Sequence, residues 1–394
     1  LGAQVAVVTD SGTQFALVKK GDFAALSAVA SDTRAPLLGR IHAIWGLGQG
    51  LRAQKTDAAA LSQLLKDPEA EIITQAAKML GDSAADGAPL IPLLEHSSPR
   101  VRLHVGIALG KREVPSAEKA LFAAAAKDGA DPFLRHAIVT GLAGCATEAS
   151  LAARATDKSS LVRLCSLLAL ARQQSPRVAD FLADPALADE AERAIHDDAG
   201  IPVALPALVK RASRRGLNAC LRLGRAEPLL TAALKAGPLQ AEAVDQLLVF
   251  VTPPRLDRID GHAHEASPRD ATAFAALVQP RLDGLLAIQD GALKAKAVEL
   301  LMQLQLRVEP SVLQQIIADK TARSTLRAEA LKLMASQHSA APEFASVLDL
   351  ALAKTSPAEL RREALRQLFT HQPARALTEA ATTLESGDTT TRQL

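Results

Sequence analysis

The chain has 394 residues, with 45 Lys+Arg against 43 Asp+Glu and a net charge of +2, so it lacks the basic excess that nucleic-acid recognition demands. Hydrophobic residues make up 48% and aromatics only 3%, with no tyrosine; the apolar mass is alanine and leucine, which favours helices and leaves little material for strands. No apolar run approaches the roughly 20 residues of a membrane span, and Cys145, Cys165 and Cys220 have neither metal-like nor redox-like spacing and read as small buried hydrophobes.

A single core of this length usually splits into domains, whereas stacked repeats need only pack on their neighbours. The opening LGAQVAVVTDSG has no Met and no basic stretch before a cleavable apolar segment, so it does not read as a signal peptide. The expectation is a fragment of a longer multidomain chain.

From the N-terminal side, one helical pattern returns every 30–35 residues: LGRIHAIWGLGQ (38–49), EIITQAAKMLGD (71–82), RVRLHVGIALGK (100–111), FLRHAIVTGLAG (133–144) and LVRLCSLLALAR (161–172). That period predicts an all-α, HEAT-like α-solenoid of about ten helix pairs over 1–394, curved, with the second helix of each pair lining the concave face. Shorter first helices are expected at AALSQLLKD (59–67), APLIPLLEHS (88–97) and EKALFAAAAKDG (118–129). Asp67-Pro68, Ser98-Pro99, Asp131-Pro132 and Ser356-Pro357 supply cap-then-proline start signals. GLGQG (46–50) follows a helix, not a strand, and reads as a glycine-capped helix end.

Arg40, Arg102, Arg135, Arg163, Arg327 and Arg361 recur at one register position near the start of the second helix, with Lys294 a near substitute. A row of cations could line a ligand groove. The structural reading is preferred: each arginine pairs with an aspartate or carbonyl of the adjacent turn, for which Asp32, Asp67, Asp131 and Asp157 are placed.

The period breaks at 195–235, where Pro202 and Pro206 are followed by Lys210, Arg211, Arg214, Arg215, Arg222 and Arg225. Helical spacing puts Arg211, Arg215 and Arg222 roughly on one face. The cluster is either a solvated face or a surface for an acidic partner, and it is the candidate interaction surface. A loop is expected at 252–270, TPPRLDRIDGHAHEASPRD. Its His262, His264 and Glu265, with Asp260, lack the further ligands that a metal motif brings at fixed spacing, so no metal site is assigned. Beyond it, LQAEAVDQL, LKAKAVELL, LRAEALKLM and LRREALRQL are nearly one sequence. The end, ALTEAATTLESGDTTTRQL, turns polar and threonine-rich, as a linker leaving the array would. No nucleophile elbow, phosphate loop or H-E-x-x-H motif occurs, so no catalytic residue is assigned. His42, His104 and His136 are read as structural.

LLGRIHAIWGLGQ, DPEAEIITQAAKMLGD, AERAIHDD with IPVALPAL, RRGLNACLRLG and LDRIDGHAHEASPRDA, in that order, resemble the HEAT-repeat region of the PVC-type haem-binding CxxCH proteins, also grouped as membrane-bound dehydrogenases. The resemblance runs from about residue 14 to 290. It implies a non-catalytic array between a dehydrogenase-like β-propeller and a cytochrome c-like domain, in a periplasmic or cell-envelope parent. Redox chemistry and haem c would belong to those flanking domains. This chain holds no CxxCH, so no haem-binding or catalytic residue carries over, and Gly261-His262-Ala263-His264 departs from the aromatic and basic pattern of the family loop. Expected partners are the flanking domains or another protein, with no nucleic acid and no cofactor. A free-standing protein-binding HEAT module is the alternative, and a HEAT-like lyase or DNA-base-repair enzyme is the remote one.

Overall fold

A computed structural model describes residues 11–197, 203–265 and 267–386. The chain divides into two compact units, Leu1–Leu205 and Pro206–Leu394. All regular structure among the described residues is helical, apart from one antiparallel bridge between Leu256 and Ala263, and the architecture is an α-solenoid of the HEAT-like kind.

In the first unit, α1 (Ser11–Lys20) and α2 (Phe23–Ser31) precede the long α3 (Leu37–Arg52). Four further pairs follow. The short α4 (Ala59–Gln63) runs into a 3-10 turn and pairs with α5 (Ala70–Gly81). A 3-10 segment (Ala88–Glu95) pairs with α6 (Pro99–Arg112), α7 (Glu118–Asp128) with α8 (Pro132–Cys145), and α9 (Glu148–Ala152) with α10 (Ser160–Arg172). A 3-10 turn, Pro176–Phe181, then leads to α11 (Ala188–Asp197). The start signals are visible in the caps. The Asp131 carboxylate accepts from the backbone N–H of Phe133 and Leu134, and Ser159 accepts from that of Val162, filling donors that a helix start leaves open.

Two local expectations are corrected. Residues 88–97 do not form an α-helix but a 3-10 segment, because Pro92 sits inside it and has no N–H for an i→i−4 bond. GLGQG is not a capped helix end either: α3 continues to Arg52 and buries Gly46, Gly48 and Gly50. A Cβ on Gly50 would meet the Phe23 ring at 2.2 Å, and one on Gly48 would meet the Met79 sulfur at 2.3 Å. These glycines are there to let neighbours in.

The same device joins α6 to α8. A Cβ on Gly144 would lie 2.2 Å from the Gly110 carbonyl oxygen, and one on Gly110 would lie 2.2 Å from that of Thr140. The two helices therefore meet backbone to backbone. Each glycine costs about 1 kcal/mol of helix propensity relative to alanine, and the close packing offsets that cost.

The second unit repeats the plan with an insertion. The short α12 (Leu205–Val209) spans the boundary. It is followed by α13 (Arg214–Arg222), α14 (Ala226–Leu234) and α15 (Gln240–Leu248), so the expected irregular stretch at 195–235 holds the three short helices α12, α13 and α14 beyond the undescribed residues 198–202. The loop at 252–270, α16 (Ala271–Val278) and α17 (Leu282–Leu286) separate α15 from α18 (Gly291–Gln303). Then come α19 (Pro310–Ala318), α20 (Ser324–His338), α21 (Pro342–Leu352), α22 (Ala358–His371) and α23 (Pro373–Ser386). One apolar core runs through the unit and includes Leu229, Leu247, Phe274, Leu300, Leu331, Phe344 and Leu368. Each such side chain contributes about 1.5–3 kcal/mol by leaving water.

Gly144→Ala should lower the unfolding free energy by about 1–3 kcal/mol through overpacking, read as a lower urea midpoint at unchanged slope. An unchanged midpoint would show that α6 and α8 separate freely.

Candidate functional site

The recurring arginines lie at the turns between first and second helices. Each described bond first goes to a carbonyl of its own pair: Arg40 Nε donates to Ala30 O at 2.9 Å, and Arg327 Nε to Ile317 O at 2.7 Å. Both carbonyls belong to the last turn of a first helix, whose carbonyls have no intrahelical partner. Arg102 donates to His96 O, Arg135 to Gly129 O, and Arg163 to Asp157 O, at 2.8–3.0 Å.

Three of these arginines also reach forward. Arg40 pairs with Asp67, Arg102 with Asp128 at 2.9 Å, and Arg163 with Asp184 at 2.6 Å. The carboxylates therefore come from the next repeat rather than from the adjacent turn. Asp32 instead takes Arg34, Asp131 caps α8, and the Asp157 carboxylate accepts the Ser159 N–H. The Arg40–Asp67 pair is nearly sealed from solvent, with side chains 4% and 6% exposed. Arg361 departs from the row, since its Nε is buried without a hydrogen-bond partner among the described residues.

The second helices of the first unit carry a polar row of their own. Trp45 Nε1 donates to Gln75 at 2.8 Å, Arg100 Nε to Glu71 at 2.6 Å, and Lys111 to Asp82 at 2.6 Å, each across about one repeat. Arg172 donates to the Thr140 hydroxyl and lies 3.1 Å from His136 Nδ1. Burial holds the Arg172 guanidinium below its usual value. Burial, then the charges of Arg100 and Lys78, does the same for the His104 imidazole, while the Arg100 hydrogen bond pulls the Glu71 carboxyl below its usual range. Across α8, α10 and α11 this face opens into a groove of about 490 Å³. Val139, Leu168 and Ala171 line it beside His136, with Arg135, Arg172, Arg193 and Glu190 among its charged groups. Phe133, at the start of α8, is 72% exposed.

In the second unit the six clustered cations do not share a surface. Arg211 precedes α13 and is engaged within the chain, so it does not continue a helix face with Arg215 and Arg222. Arg214 pairs with Glu242 at 3.1 Å. Arg215 is half-buried, with Nε lacking a partner among the described residues. Arg222 is half-buried beside the 252–270 loop, and Arg225 is exposed. Only Lys210 and Arg211 meet at one cavity, where Lys235 joins them.

The loop is ordered by residues that sequence reasoning passed over. Asn218 donates to Asp257 at 2.5 Å, and the other Asp257 oxygen accepts from the backbone of Ile259. Gly261, at φ +74°, turns the chain so that Leu256 and Ala263 bridge. Arg269 donates to Phe250 O at 2.7 Å and to Leu221 O, with its guanidinium 4.6 Å above the Phe250 ring. Burial lowers its affinity for the proton. His262 and His264 face different carboxylates, Asp260 at 3.4 Å and Asp257 at 3.6 Å. Cys145, Cys165 and Cys220 are buried, and desolvation pushes each thiol up to about 11.

No family model matches the chain, and no curated protein does. Among solved structures it is similar to a chain from work on a phosphorylation switch in the cadherin–β-catenin interaction, at 14% identity and TM-score 0.33, covering 98% of this chain and 97% of that one. A chain of the full-length AP-3 complex in an intermediate open conformation gives 16% identity and TM-score 0.38, covering 95% and 76%. Human deoxyhypusine hydroxylase in complex with glycerol gives 16% identity and TM-score 0.26, covering 91% and 99%.

Arg40→Met should cost about 3–5 kcal/mol, because Asp67 is left buried and uncompensated, and adding Asp67→Leu should recover most of that in chemical denaturation. If the single variant were as stable as the parent, the pair would not tie the repeats. The Asp184 carboxyl is held below its ordinary range, chiefly by the Arg163 hydrogen bond. A lowered folded value stabilises the protein above the ordinary carboxyl range, and that contribution is lost as pH falls through the folded value. Unfolding measured from pH 6 down to pH 2 should therefore show an acid limb that Arg163→Met flattens.

Proposed function

We propose that this chain is a non-catalytic HEAT-type scaffold or protein-interaction module with no cofactor of its own. The observation that carries the reading is the groove over α8, α10 and α11. Side chains from successive repeats surround an apolar floor with charged groups, and an exposed phenylalanine stands at the start of α8. An apolar centre with a polar rim is the anatomy of a protein-contact surface, and stacked repeats present such surfaces across their second helices. The test is a photo-crosslinking amino acid at Arg193, which lines the groove and is exposed, compared with one at exposed Lys127, in the native host. Crosslinks from position 193 to another protein, or to another domain, are expected. Identical products from both positions would remove the groove as a contact surface.

A second, finer reading makes this array the spacer between a dehydrogenase-like propeller and a cytochrome c-like domain of an exported or envelope protein. It rests on the family resemblance. Two of the segments that carry it, RRGLNACLRLG and LDRIDGHAHEASPRDA, pack on each other through Asn218–Asp257 and Arg269–Leu221. Among the described residues no helix is long and apolar enough to cross a membrane. Haem staining of the natural full-length polypeptide after denaturing electrophoresis decides it. Covalent haem c would support the spacer, and a haem-free polypeptide would sink it while leaving the interaction module standing.

A further inference from the structure

The second unit holds a cavity of about 550 Å³ enclosed by the end of α12, the start of α13 and the back of α14. Val209, Leu217, Ala232 and Leu239 give it an apolar lining, and Lys210 and Lys235 are exposed beside it, with Arg211 also contributing. Among the described residues no carboxylate lines it. Its back wall is fixed: Gln240 Nε2 donates to Ala233 O at 3.0 Å and ties the Lys235–Leu239 turn to the end of α14.

Several cations elsewhere in this unit are already paired with carboxylates. Arg214 and Arg258 share Glu242, Lys296 holds Asp245, and Arg281 holds Glu227 at 2.5 Å. Lys210 and Lys235 have no such counter-ion among the described residues. The cavity thus offers an apolar seat and unmatched positive charge, and lacks an aromatic platform on which bases would stack. Its volume lies within the roughly 300–1,000 Å³ of pre-formed ligand sites.

We propose that this cavity docks a peptide segment of another protein, with a leucine or phenylalanine on the apolar seat and flanking aspartates or glutamates against Lys210 and Lys235. The inference rests on the interaction-module reading and gives that module a second site with a stated partner chemistry. Apolar contact supplies the anchor, and the lysines set the sign of the partner and speed its approach.

The experiment selects short displayed peptides on the full chain, then measures the best binder by fluorescence anisotropy against two variants. Lys210→Glu with Lys235→Glu reverses the rim. Thr231→Trp, at an exposed position on α14, fills the cavity without entering the core. The enriched peptides should carry acidic residues around leucine or phenylalanine. Each variant should weaken binding by about tenfold or more, at unchanged circular dichroism and Tm, and added salt should weaken binding to the parent. Basic or neutral winners, no enrichment over heat-denatured chain, or full affinity for both variants would each overturn the proposal. So would dodecanoate binding in the absence of any peptide, which would make the cavity a small-molecule site. Neither substitution lies on α8, α10 or α11, so crosslinking from position 193 remains an independent readout of the first groove.

Discussion

An arginine that serves two repeats at once is the contact on which this architecture turns. Arg40 closes the C-terminal carbonyl of its own first helix and simultaneously binds a carboxylate of the following repeat. Arg102 and Arg163 do the same with carbonyls of the intervening turn. A helix pair of this size cannot bury its apolar face alone, so register between pairs has to be specified by something directional. Apolar packing is not directional, whereas a forked guanidinium with fixed donors is. Burial raises the stakes, because a charge taken out of water is tolerable only with its partners in place.

The glycines complement that row. Charge pairing at the turns sets the register, and Gly110 with Gly144 sets how near two second helices come. Gly81 likewise lets α6 approach α5, since a Cβ there would lie 2.6 Å from that of Ala108, and across the same helix pair Lys111 reaches Asp82. In the second unit the helices are closed differently: the loop between α15 and α16 is locked by Arg269 onto carbonyls at the ends of α13 and α15.

Helix positions were the most legible part of the sequence. The expected 133–144 and 161–172 are found as Pro132–Cys145 and Ser160–Arg172, because apolar spacing and caps are local signals. What local signals miss is whatever a distant neighbour decides. GLGQG looked like a helix end because nothing in those five residues announces Phe23 and Met79 pressed against them. Asp67 was visible as a turn acid, yet its preference for Arg40 depends on how repeats stack. The basic stretch after residue 209 looked like one patch; the chain bends between Arg211 and Arg214 and sends the side chains to different neighbours. Arg269 carries no local signal at all, and one arginine before a helix gives no hint that three carbonyls will converge on it.

A net charge of +2 conceals a useful distinction. Cations whose counter-ions sit one repeat away are engaged in stacking, and a partner that took the buried ones, such as Arg40, would break a contact between repeats. Lys210 and Lys235 lie beside an apolar cavity without such counter-ions among the described residues, so engaging them breaks no ion pair described there. Solvated lysines on a flat surface gain little from an acidic partner, because water and salt screen them. Beside an apolar seat the partner's own side chain displaces that water, and the same two charges become selective. In a repeat protein, function is therefore sought where inter-repeat pairing stops, and in the second unit the α12–α14 cavity is one such place.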